Sequence, residues 1–384
     1  MKTNLHVSLT NIKNESRLFK EVTSLANHRL FDRIIVAGLH EEGLAEQEYL
    51  NKKVVLDRFV LKTRRLSRSL PFQLLKYVEF ASRVLTKYRD ENVETVTVHM
   101  LALLPVGVLY KKMHGAKLVY DAHEYETERN GLAGLRKKLS KLVERWLIPY
   151  CDATIVVSGT IADEYKKLYP KLERPSVVLN TPFYKKVEKK DIFRKKLNID
   201  EDRKIFLYQG ALGTGRGIET LLEAFKKPIA EAKNGLKPPV IIFMGYGPLE
   251  IEIKKAAKKY DNIFFHEAVS PDILLEYTGS ADAGISMIED CCLSYRYCLP
   301  NKIFEYMMVD IPVIVSDLPE MKRVVEENGV GVVAESNSVE GLREAVRKVC
   351  RMDMKLLREN IQRVKDVYNW QEQEKTLLKI YNEL

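Results

Sequence analysis

Cysteine is scarce in this chain, and its spacing argues against two classes of protein. Five cysteines occur among the 384 residues: Cys151, Cys291, Cys292, Cys298 and Cys350. Their number is odd, they form no C-x-x-C pair, and none has zinc-type spacing to a histidine. The sequence therefore predicts neither a disulfide-stapled secreted domain nor a zinc fold, and a reducing cytoplasm is the expected location.

Long apolar runs are also missing. The longest, residues 100–110, is interrupted by Pro105 and is far shorter than the roughly 20 residues that span a bilayer. The N-terminus enters an apolar strand at residues 5–9 without the basic, apolar and small-residue zones of a signal peptide. We therefore expect a cytoplasmic protein without a membrane span, with association at the inner face of the membrane as the alternative.

The charge is one-sided, with a formal net value of +9. Such a charge suits nucleic acid, an anionic membrane surface or a phosphorylated substrate. No recognition helix, base-stacking strand pair or zinc spacing accompanies it, so nucleic acid is not an expected partner. The 46% hydrophobic and 30% charged residues are typical of a soluble globular protein, and the length predicts two domains.

Strand-like apolar runs alternate with helical patterns in both halves of the chain, which predicts an α/β protein with parallel, doubly wound sheets. The runs are residues 6–9, 33–37, 54–56, 96–100, 117–120, 154–157 and 177–180, then 205–208, 240–244, 263–266, 283–287, 311–315 and 330–334. The polar, lysine-rich residues 184–203 predict a linker. We expect domains at 1–183 and 184–365, with a last helix at about 366–384 crossing back to the first.

Residues 298–317 carry the most informative pattern. Pro300 and Asn301 favour a turn, after which Lys302 and Glu305 share one face at the start of a helix that runs to about residue 309. A helix N-terminus together with the Lys302 charge suits a diphosphate, and Glu305 can accept hydrogen bonds from a ribose diol. An ordinary solvated ion pair is the alternative.

Residues 206–224 read as a strand, a glycine-rich turn and a helix. Gly213 and Gly215 let backbone amides approach an anion, and Arg216 offers a planar fork of donors matched to phosphate oxygens. The alternative is a tight turn with a solvated arginine. The glycine-rich turn and the helix start at Lys302 both lie at strand-to-helix connections of the second half. Together they indicate a ligand-binding site, since ligands of these sheets bind at the carboxyl ends of strands.

In the first half, Asp121 and His123 follow a buried strand and point the same way if the strand continues. They are candidates to bind a sugar or to serve a reacting hydroxyl, and the alternative is a histidine that only caps the strand. His99, after the neighbouring strand, is expected to be no more than a pocket wall.

Basic and apolar residues alternate at 52–89 and 136–141. The cations are Arg64, Arg65, Arg68, Lys76, Arg83, Lys87, Arg136, Lys137, Lys138 and Lys141. Faces of this kind fit an anionic lipid surface and would bring a lipid-linked acceptor to the protein. Solvated helix faces over a core stripe are the alternative.

Residues 208–224, 243–249 and 299–331 resemble the donor half of retaining glycosyltransferase family 4, and residues 119–124 and 155–158 resemble its acceptor half. The resemblance implies the GT-B fold, two Rossmann-like domains facing across a cleft, and a nucleotide sugar held mainly by the second. It implies these positions: the diphosphate at Gly213, Gly215, Arg216 and Lys302; the ribose at Glu305; the base and its pocket at Gly245, Ala268, Val269, Asn301 and Ile303; the donor sugar at Tyr297; catalysis at His123 and Asp121.

The chain departs from the family pattern at three places. Tyr297 stands where the first of two glutamates spaced by seven residues is usual. Ala211 replaces a basic residue, and residues 10–14 lack a glycine-rich loop.

The predicted activity is transfer of a hexosyl-type sugar, with retention, from a UDP- or GDP-sugar to a hydroxyl of a glycan or glycolipid in cell-surface polysaccharide or lipid-linked glycan synthesis. No cofactor or metal is expected, because fixed cations stabilise the leaving diphosphate and the Asp-x-Asp at 200–202 reads as a surface loop. A catalytically idle nucleotide-sugar binding protein is the first alternative, because of Tyr297. A dinucleotide-dependent oxidoreductase is the second, although residues 9–16 lack its G-x-G-x-x-G.

Overall fold

A computed structural model describes residues 1–67, 69–229 and 237–384. The chain divides into two compact units, the first made of Met1–Val178 with Glu374–Leu384 and the second of Leu179–Gln373. Each unit is an α/β structure built on a mainly parallel sheet, which confirms the predicted fold class. Among the described residues, no helix has the length and apolar character needed to cross a bilayer.

The sheet of the first unit contains eight strands in the order β3-β4-β2-β1-β5-β6-β7-β8. Neighbouring strands are parallel except β3 and β4. Their bounds are β1 Thr3–Val7, β2 Arg33–Leu39, β3 Gln47–Tyr49, β4 Val54–Phe59, β5 Val93–Val98, β6 Lys117–Ala122, β7 Ala153–Val156 and β8 Ser176–Val177. The helices that connect them are α1 Ser16–Asn27, α2 Leu70–Lys87, α3 Leu104–His114, α4 Gly134–Leu147 and α5 Gly159–Leu168.

Several strands of this sheet differ in their bounds from the sequence prediction; β5, for example, was predicted at residues 96–100 and lies at Val93–Val98. The first strand, predicted at residues 6–9, lies at Thr3–Val7 and buries the polar Asn4 and His6 completely. An apolar pattern excludes a residue such as Asn4 from a core, so the predicted strand began too late in the chain. The exposed antiparallel strand β3 was not predicted, because none of its three side chains is buried.

The sheet of the second unit is entirely parallel, in the order β11-β10-β9-β12-β13-β14. The strands are β9 Ile205–Ala211, β10 Val240–Tyr246, β11 Ile263–Glu267, β12 Ala283–Ser286, β13 Val313–Ser316 and β14 Gly331–Ala334. The helices are α6 Ile192–Leu197, α7 Ile218–Phe225, α8 Glu250–Lys259, α9 Pro271–Thr278, α10 Leu293–Arg296, α11 Asn301–Met308, α12 Pro319–Asn328, α13 Val339–Cys350 and α14 Met354–Lys365. Strand order reverses beside β9, which is where ligands bind in sheets of this kind.

The core of the second unit lies on both faces of its sheet. Along β10, Ile242 and Met244 pack into one apolar cluster, while Ile241 and Phe243 pack into the other. Burial on both faces explains why the strands are nearly continuous apolar runs.

A last helix, α15 Trp370–Asn382, begins in the second unit and ends in the first. At its start, Trp370 is fully buried and donates its backbone N–H to the carbonyl of Pro182. Near its end, Tyr381 meets the ring of Phe31 edge-on at 6.0 Å, and its hydroxyl lies 2.8 Å from that of Thr97.

Candidate active site

The segments singled out in the second unit emerge at one edge of its sheet. All six strands run in the same direction, so the turns after β9, β10 and β11 and the start of α11 all lie at the carboxyl end. Two strands pack so closely there that a Cβ added to Gly245 would lie 1.9 Å from the carbonyl oxygen of Gly210. Glycine at position 245 therefore lets the two strands approach each other.

Lys302, on the first turn of α11, is a buried cation. Its side chain is 8% exposed, and its Nζ lies 3.8 Å from the centre of the Tyr208 ring. Among the described residues no carboxylate forms an ion pair with it. Burial, followed by the nearby charge of Arg216, lowers the pKa of Lys302 to about 7, although Glu305 opposes the shift. A buried ammonium without a counter-ion is costly, and an anionic ligand would relieve that cost.

Arg216 lies in the glycine-rich turn after β9, with its guanidinium 5.0 Å from the centre of the Tyr295 ring. Gly217 has a φ of 69° and leaves no room for a Cβ, which would lie 2.6 Å from Cβ of Met287. The backbone N–H of Glu289 donates to the carbonyl of Gly215 at 3.0 Å. These contacts fix the turn, and the Arg216 charge lies close enough to Lys302 to depress its pKa.

Glu305 lies one turn after Lys302 and is held by a polar chain from β9. The amide nitrogen of Gln209 donates to Glu305 Oε2 at 2.5 Å, and the hydroxyl of Thr278 donates to Gln209 Oε1 at 2.8 Å. These two bonds orient the Gln209 amide and fix the carboxylate at the same edge as Lys302.

The remaining predicted positions fall into two groups. Among the described residues, and apart from its two chain neighbours, Gly213 has no heavy atom within 4 Å of an added Cβ, so the space beside it is open. Ala268 and Val269 directly follow β11, Asn301 is exposed at the start of α11, and Tyr297 is half-buried after α10. Ile303 is different: its side chain is fully buried in the apolar core. The expectation that the Ile303 side chain lines the pocket is therefore wrong.

The first unit has its own polar cluster, centred on Asp121 at the end of β6. Its fully buried carboxylate accepts two bonds from Arg17, from Nε at 3.1 Å and from a terminal nitrogen at 2.7 Å. Burial would raise the pKa of Asp121, but the charges of Arg17 and His123 outweigh it and hold the pKa well below its usual range. Because it is fully buried, Asp121 can act only through its neighbours, rather than directly as the sequence suggested.

His123 lies beside Asp121, as the sequence predicted, with Nε2 at 2.7 Å from Asp121 Oδ2 and a side chain 28% exposed. Burial would lower the pKa of His123, but the charge of Asp121 dominates and raises it. His123 is therefore a half-exposed ring that keeps its second proton to a higher pH than an ordinary histidine does. His99 is not a pocket wall: it is 2% exposed, and its Nδ1 lies 3.1 Å from Asp121 Oδ2.

Two groups in this cluster have ligand atoms spaced closely enough for a metal ion: His6 with Glu21 and His99, and His99 with Asp121 and His123. Arg17 forms ion pairs with both carboxylates, to Glu21 at 2.8 Å and to Asp121 at 2.7 Å. A divalent cation would sit against this guanidinium, so the residues fit a hydrogen-bonded cluster better than a metal centre.

Several of these residues escaped the sequence reasoning. Tyr208, Gln209 and Tyr295 support the cations and Glu305, and Arg17 and His6 support Asp121. A weak signal was present, since Gln209 and His6 are polar residues inside otherwise apolar strands. Their partners lie tens of residues away, which pattern cannot supply.

A cavity of about 430 Å³ lies at the opposite edge of the second sheet, at the amino ends of β9, β12 and β13. Lys204, Asp282 and Arg358 contribute to its wall. Asp282 is already paired with Arg194 and Lys189. This cavity is remote from Lys302 and Arg216 and has no part in the site described above.

Comparison with known proteins identifies the class of the chain. Residues 189–366 match the family described as Glycosyl transferases group 1, and residues 25–181 match the one described as Glycosyltransferase Family 4. The chain has a GT-B type architecture and is a glycosyltransferase. It belongs to the family-4-like, group 1 glycosyltransferases. Among curated protein sequences, none matches it.

Solved structures share the fold at low sequence identity. A sucrose-phosphate synthase from Thermosynechococcus elongatus superposes with a TM-score of 0.81 at 15% identity, covering 100% of this chain and 99% of that one. HepE from Anabaena in complex with UDP-glucose superposes with a TM-score of 0.73 at 13% sequence identity, and both chains are covered fully. An E. coli trehalose-6-phosphate protein bound with UDP-2-fluoro glucose superposes with a TM-score of 0.72 at 10% sequence identity. The match covers 100% of this chain and 99% of that one.

Proposed function

We propose that the protein transfers a hexosyl-type sugar, with retention and without a metal, from a nucleoside diphosphate sugar to a hydroxyl of a glycan or glycolipid acceptor. The observation that carries the proposal is Lys302, a buried cation without a carboxylate partner among the described residues, beside Arg216 at a helix start. A diphosphate is the anion whose size and charge suit two cations and the helix-end amides together.

The donor is assigned to the second unit. Arg216, Lys302 and the amides near Gly213 and Gly215 hold the diphosphate. Glu305, kept in place by Gln209, accepts hydrogen bonds from the ribose, and the base lies against Gly245, Ala268, Val269 and Asn301. A UDP-sugar is the first donor to test, because the Anabaena and E. coli structures contain UDP-sugars, and a GDP-sugar is the second.

Bond cleavage places negative charge on the departing diphosphate. Fixed cations aimed at that charge stabilise the transition state more than the ground state, which lowers the barrier. We assign His123 to the reacting sugar, where its raised pKa lets it donate a hydrogen bond at neutral pH. In a transfer with retention, the donor phosphate accepts the acceptor proton, so no side chain need form a covalent bond to the sugar.

One observation favours a second candidate, an idle nucleotide-sugar binding protein. Tyr297 occupies the position where a carboxylate toward the donor sugar is expected, and its single hydroxyl cannot replace the two acceptor oxygens of a carboxylate. Such a protein would bind the donor without transferring its sugar.

A nucleotide panel separates these candidates. Binding of UDP, GDP, ADP and CDP and of their sugars is measured by thermal shift, because a bound ligand stabilises the folded state. The best donor is then incubated with and without acceptor hydroxyl compounds, and release of nucleoside diphosphate is followed. Binding with release supports the transferase, binding without release supports the idle protein, and no binding of any nucleotide contradicts both.

We also propose that one face of the first unit rests on anionic lipid and that the acceptor is lipid-linked. Helices α2, α3 and α4 pack in that order and expose large apolar side chains, with Leu74 61%, Leu135 71% and Trp146 65% exposed. The exposed apolar residues of this lipid-facing patch are Leu70, Phe72, Leu74, Leu75, Val78, Leu109, Met113, Leu135, Leu139, Leu142 and Trp146. Apolar area of this extent marks an interaction surface.

The cations around the patch fall into two sets. Lys137 and Lys141 both pair with Glu128, at 2.6 Å each, so we do not assign them as the main lipid contacts. Arg83 and Lys87 likewise pair with Glu79 and Asp57. The cations without an ion-pair partner among the described residues are Arg64, Arg65, Lys76, Arg136 and Lys138. The Lys76 ammonium donates to the backbone carbonyls of Leu66 and Ser67. Arg68 lies outside the described part of the chain.

Vesicle binding tests this surface. We expect the protein to sediment with phosphatidylglycerol-rich vesicles far more than with pure phosphatidylcholine. The double variant Leu74→Ser with Leu135→Ser should lose most of this binding. Ile251→Ser, which alters a 68%-exposed apolar residue of α8 in the second unit, is the matched control. Equal sedimentation of the double variant and the wild type would contradict the proposal.

A further inference from the structure

A row of buried polar side chains crosses three neighbouring strands of the first unit. Asn4 and His6 lie on β1, Thr97 lies on β5 with His99 just after it, and Asp121 lies on β6, strands that are adjacent in the sheet. All five are at most 2% exposed. Buried polar groups cost free energy unless each finds a hydrogen-bond partner.

Each member of the row bonds to the next. The contacts, in order, are Tyr381 hydroxyl to Thr97 hydroxyl 2.8 Å, Thr97 hydroxyl to Asn4 Oδ1 3.4 Å, Asn4 Nδ2 to His6 Nε2 3.0 Å, His6 Nδ1 to His99 Nε2 2.8 Å, and His99 Nδ1 to Asp121 Oδ2 3.1 Å. His123 Nε2 lies 2.7 Å from the same Asp121 oxygen and 3.2 Å from His99 Nδ1, so the two rings approach that oxygen side by side. Together these contacts connect the last helix of the chain to the half-exposed His123.

The direction of every proton follows from the Asp121 end. An ionised carboxylate only accepts, so Nδ1 of His99 must donate to it and, in a neutral ring, Nε2 of His99 must accept. His6 therefore donates from Nδ1 and accepts at Nε2, which requires the amide nitrogen of Asn4 to face it. Asn4 Oδ1 then accepts from Thr97, and the Thr97 oxygen accepts from Tyr381. The row is a one-way chain of donors that ends on Asp121.

We propose that Tyr381, Thr97, Asn4, His6 and His99 are positioning residues that fix the proton on Nε2 of His123 and leave its Nδ1 for the reacting sugar. Asp121 accepts from Arg17, His99 and His123 and has no proton to give, so Nε2 of His123 must donate to it. Among the described residues, no hydrogen-bond partner lies at His123 Nδ1. This role of His123 rests on the proposed function, whereas the proton arrangement of the row does not.

The surroundings of the row agree with this arrangement. Burial lowers the pKa of His6 well below its usual value, and burial likewise lowers the pKa of His99. Both shifts favour the neutral rings that the chain of donors requires. The ionisable groups that face the cluster from other elements are Arg17 and Glu21 on α1 and Glu126, which lies in a short turn after β6. Burial, followed by the Asp121 charge, raises the pKa of Glu21 to about 8, and burial raises that of Glu126 to about 7.

Nuclear magnetic resonance of the free protein with ¹⁵N-labelled histidine tests the proton arrangement without any substrate. Seven histidines are present, and single His→Gln variants assign the signals. We expect His6 and His99 to remain neutral, each with its proton on Nδ1, between about pH 6 and 8, while His123 titrates above about pH 6.5. A proton on Nε2 of His99 or His6, or titration of either ring in that range, would overturn the proposal.

Three variants test whether the row acts on His123. His99→Leu removes a donor to Asp121, which makes the carboxylate a stronger acceptor, so His123 should titrate about half a pH unit higher. His99→Gln keeps an amide donor and should restore part of the shift. Tyr381→Phe removes only the terminal hydroxyl and should move the titration less, in the same direction.

Phe31→Leu is the matched control, because it disturbs the edge contact of Phe31 with the Tyr381 ring while keeping the hydroxyl. It should lower stability without moving the His123 titration. If an active donor and acceptor are found, His99→Leu should lower turnover about tenfold with unchanged donor affinity, since it disturbs only the group engaged in the transition state. An unmoved titration in all three row variants contradicts the positioning role, whereas a wild type that transfers no sugar contradicts only the proposed function.

Discussion

The two polar clusters of this protein handle charge in opposite ways. In the first unit, Asp121 has two bonds from Arg17 and a third from His123, so its buried charge is compensated within the chain. In the second unit, Lys302 is buried against the Tyr208 ring, and no carboxylate of the described residues pairs with it. The first cluster is complete without a ligand, and the second has an unmet positive charge. The difference assigns the anion to the second unit and the control of a proton to the first.

The largest expected effect is on transfer. His123→Ala should retain donor binding and lose about 100- to 1,000-fold in turnover, the usual cost of removing a hydrogen-bond donor to the reacting groups. Parallel measurements of nucleotide release and of donor affinity check this. His28→Ala, which alters a 49%-exposed ring of the same unit, is the control. Unimpaired turnover in His123→Ala would end its assignment.

The complete cluster should be fragile when one charge is removed. Arg17→Met leaves Asp121 buried without its main counter-ion, and breaking a buried pair costs about 3–5 kcal/mol. Denaturant unfolding measures the loss. Arg29→Met, a substitution of an exposed arginine just after α1, should change stability little. Similar unfolding free energies for the two variants would show that the first cluster is not built on compensated charge.

The incomplete cluster should respond in the opposite sense. Lys302→Met should stabilise the free protein, most clearly below about pH 7, because it removes a buried charge. It should also weaken binding of a nucleoside diphosphate by about 10- to 100-fold, the value of a hydrogen bond to a charged group. Lys254→Met is a matched control, since Lys254 lies over the Phe265 ring at 4.6 Å but at the surface. Loss of stability in Lys302→Met would remove the contrast between the clusters.

A smaller effect is expected at Glu305. Glu305→Ala removes the proposed ribose contact and should weaken binding of a nucleoside diphosphate about tenfold while leaving an uncharged nucleobase nearly unaffected. Calorimetric titration with both ligands measures the two effects. Glu250→Ala, at the partly exposed start of α8, is the control. Unchanged diphosphate affinity would take Glu305 out of the site.

Much of the second unit was predictable, because its information is local. The alternation of apolar runs gave the parallel sheet, and the spacing of Lys302 and Glu305 placed both on one face of a helix that the structure has at Asn301–Met308. The same local reasoning failed for Ile303, whose burial depends on residues packed over α11 from elsewhere in the chain.

The polar cluster of the first unit was predictable only in part. Asp121 and His123 are two residues apart and could be paired from the sequence. Arg17, His6 and Tyr381 are 104, 115 and 260 residues from Asp121, and only the fold brings them together. Asn4 and His6 are polar yet fully buried in β1, and a hydrophobic pattern does not predict burial of polar side chains.

The most direct test of the account is proton uptake when UDP binds. Burial lowers the pKa of Lys302 to about 7 in the free protein, and a bound diphosphate would raise it, so we expect binding above pH 7 to draw a proton from solution. Calorimetry at about pH 8 in two buffers of different ionisation enthalpy should give close to one proton per bound UDP, with an affinity that falls as the pH rises further. Lys302→Met should show no uptake. Binding without proton uptake in the wild type, or equal uptake in Lys302→Met, would contradict the claim that a diphosphate completes this site.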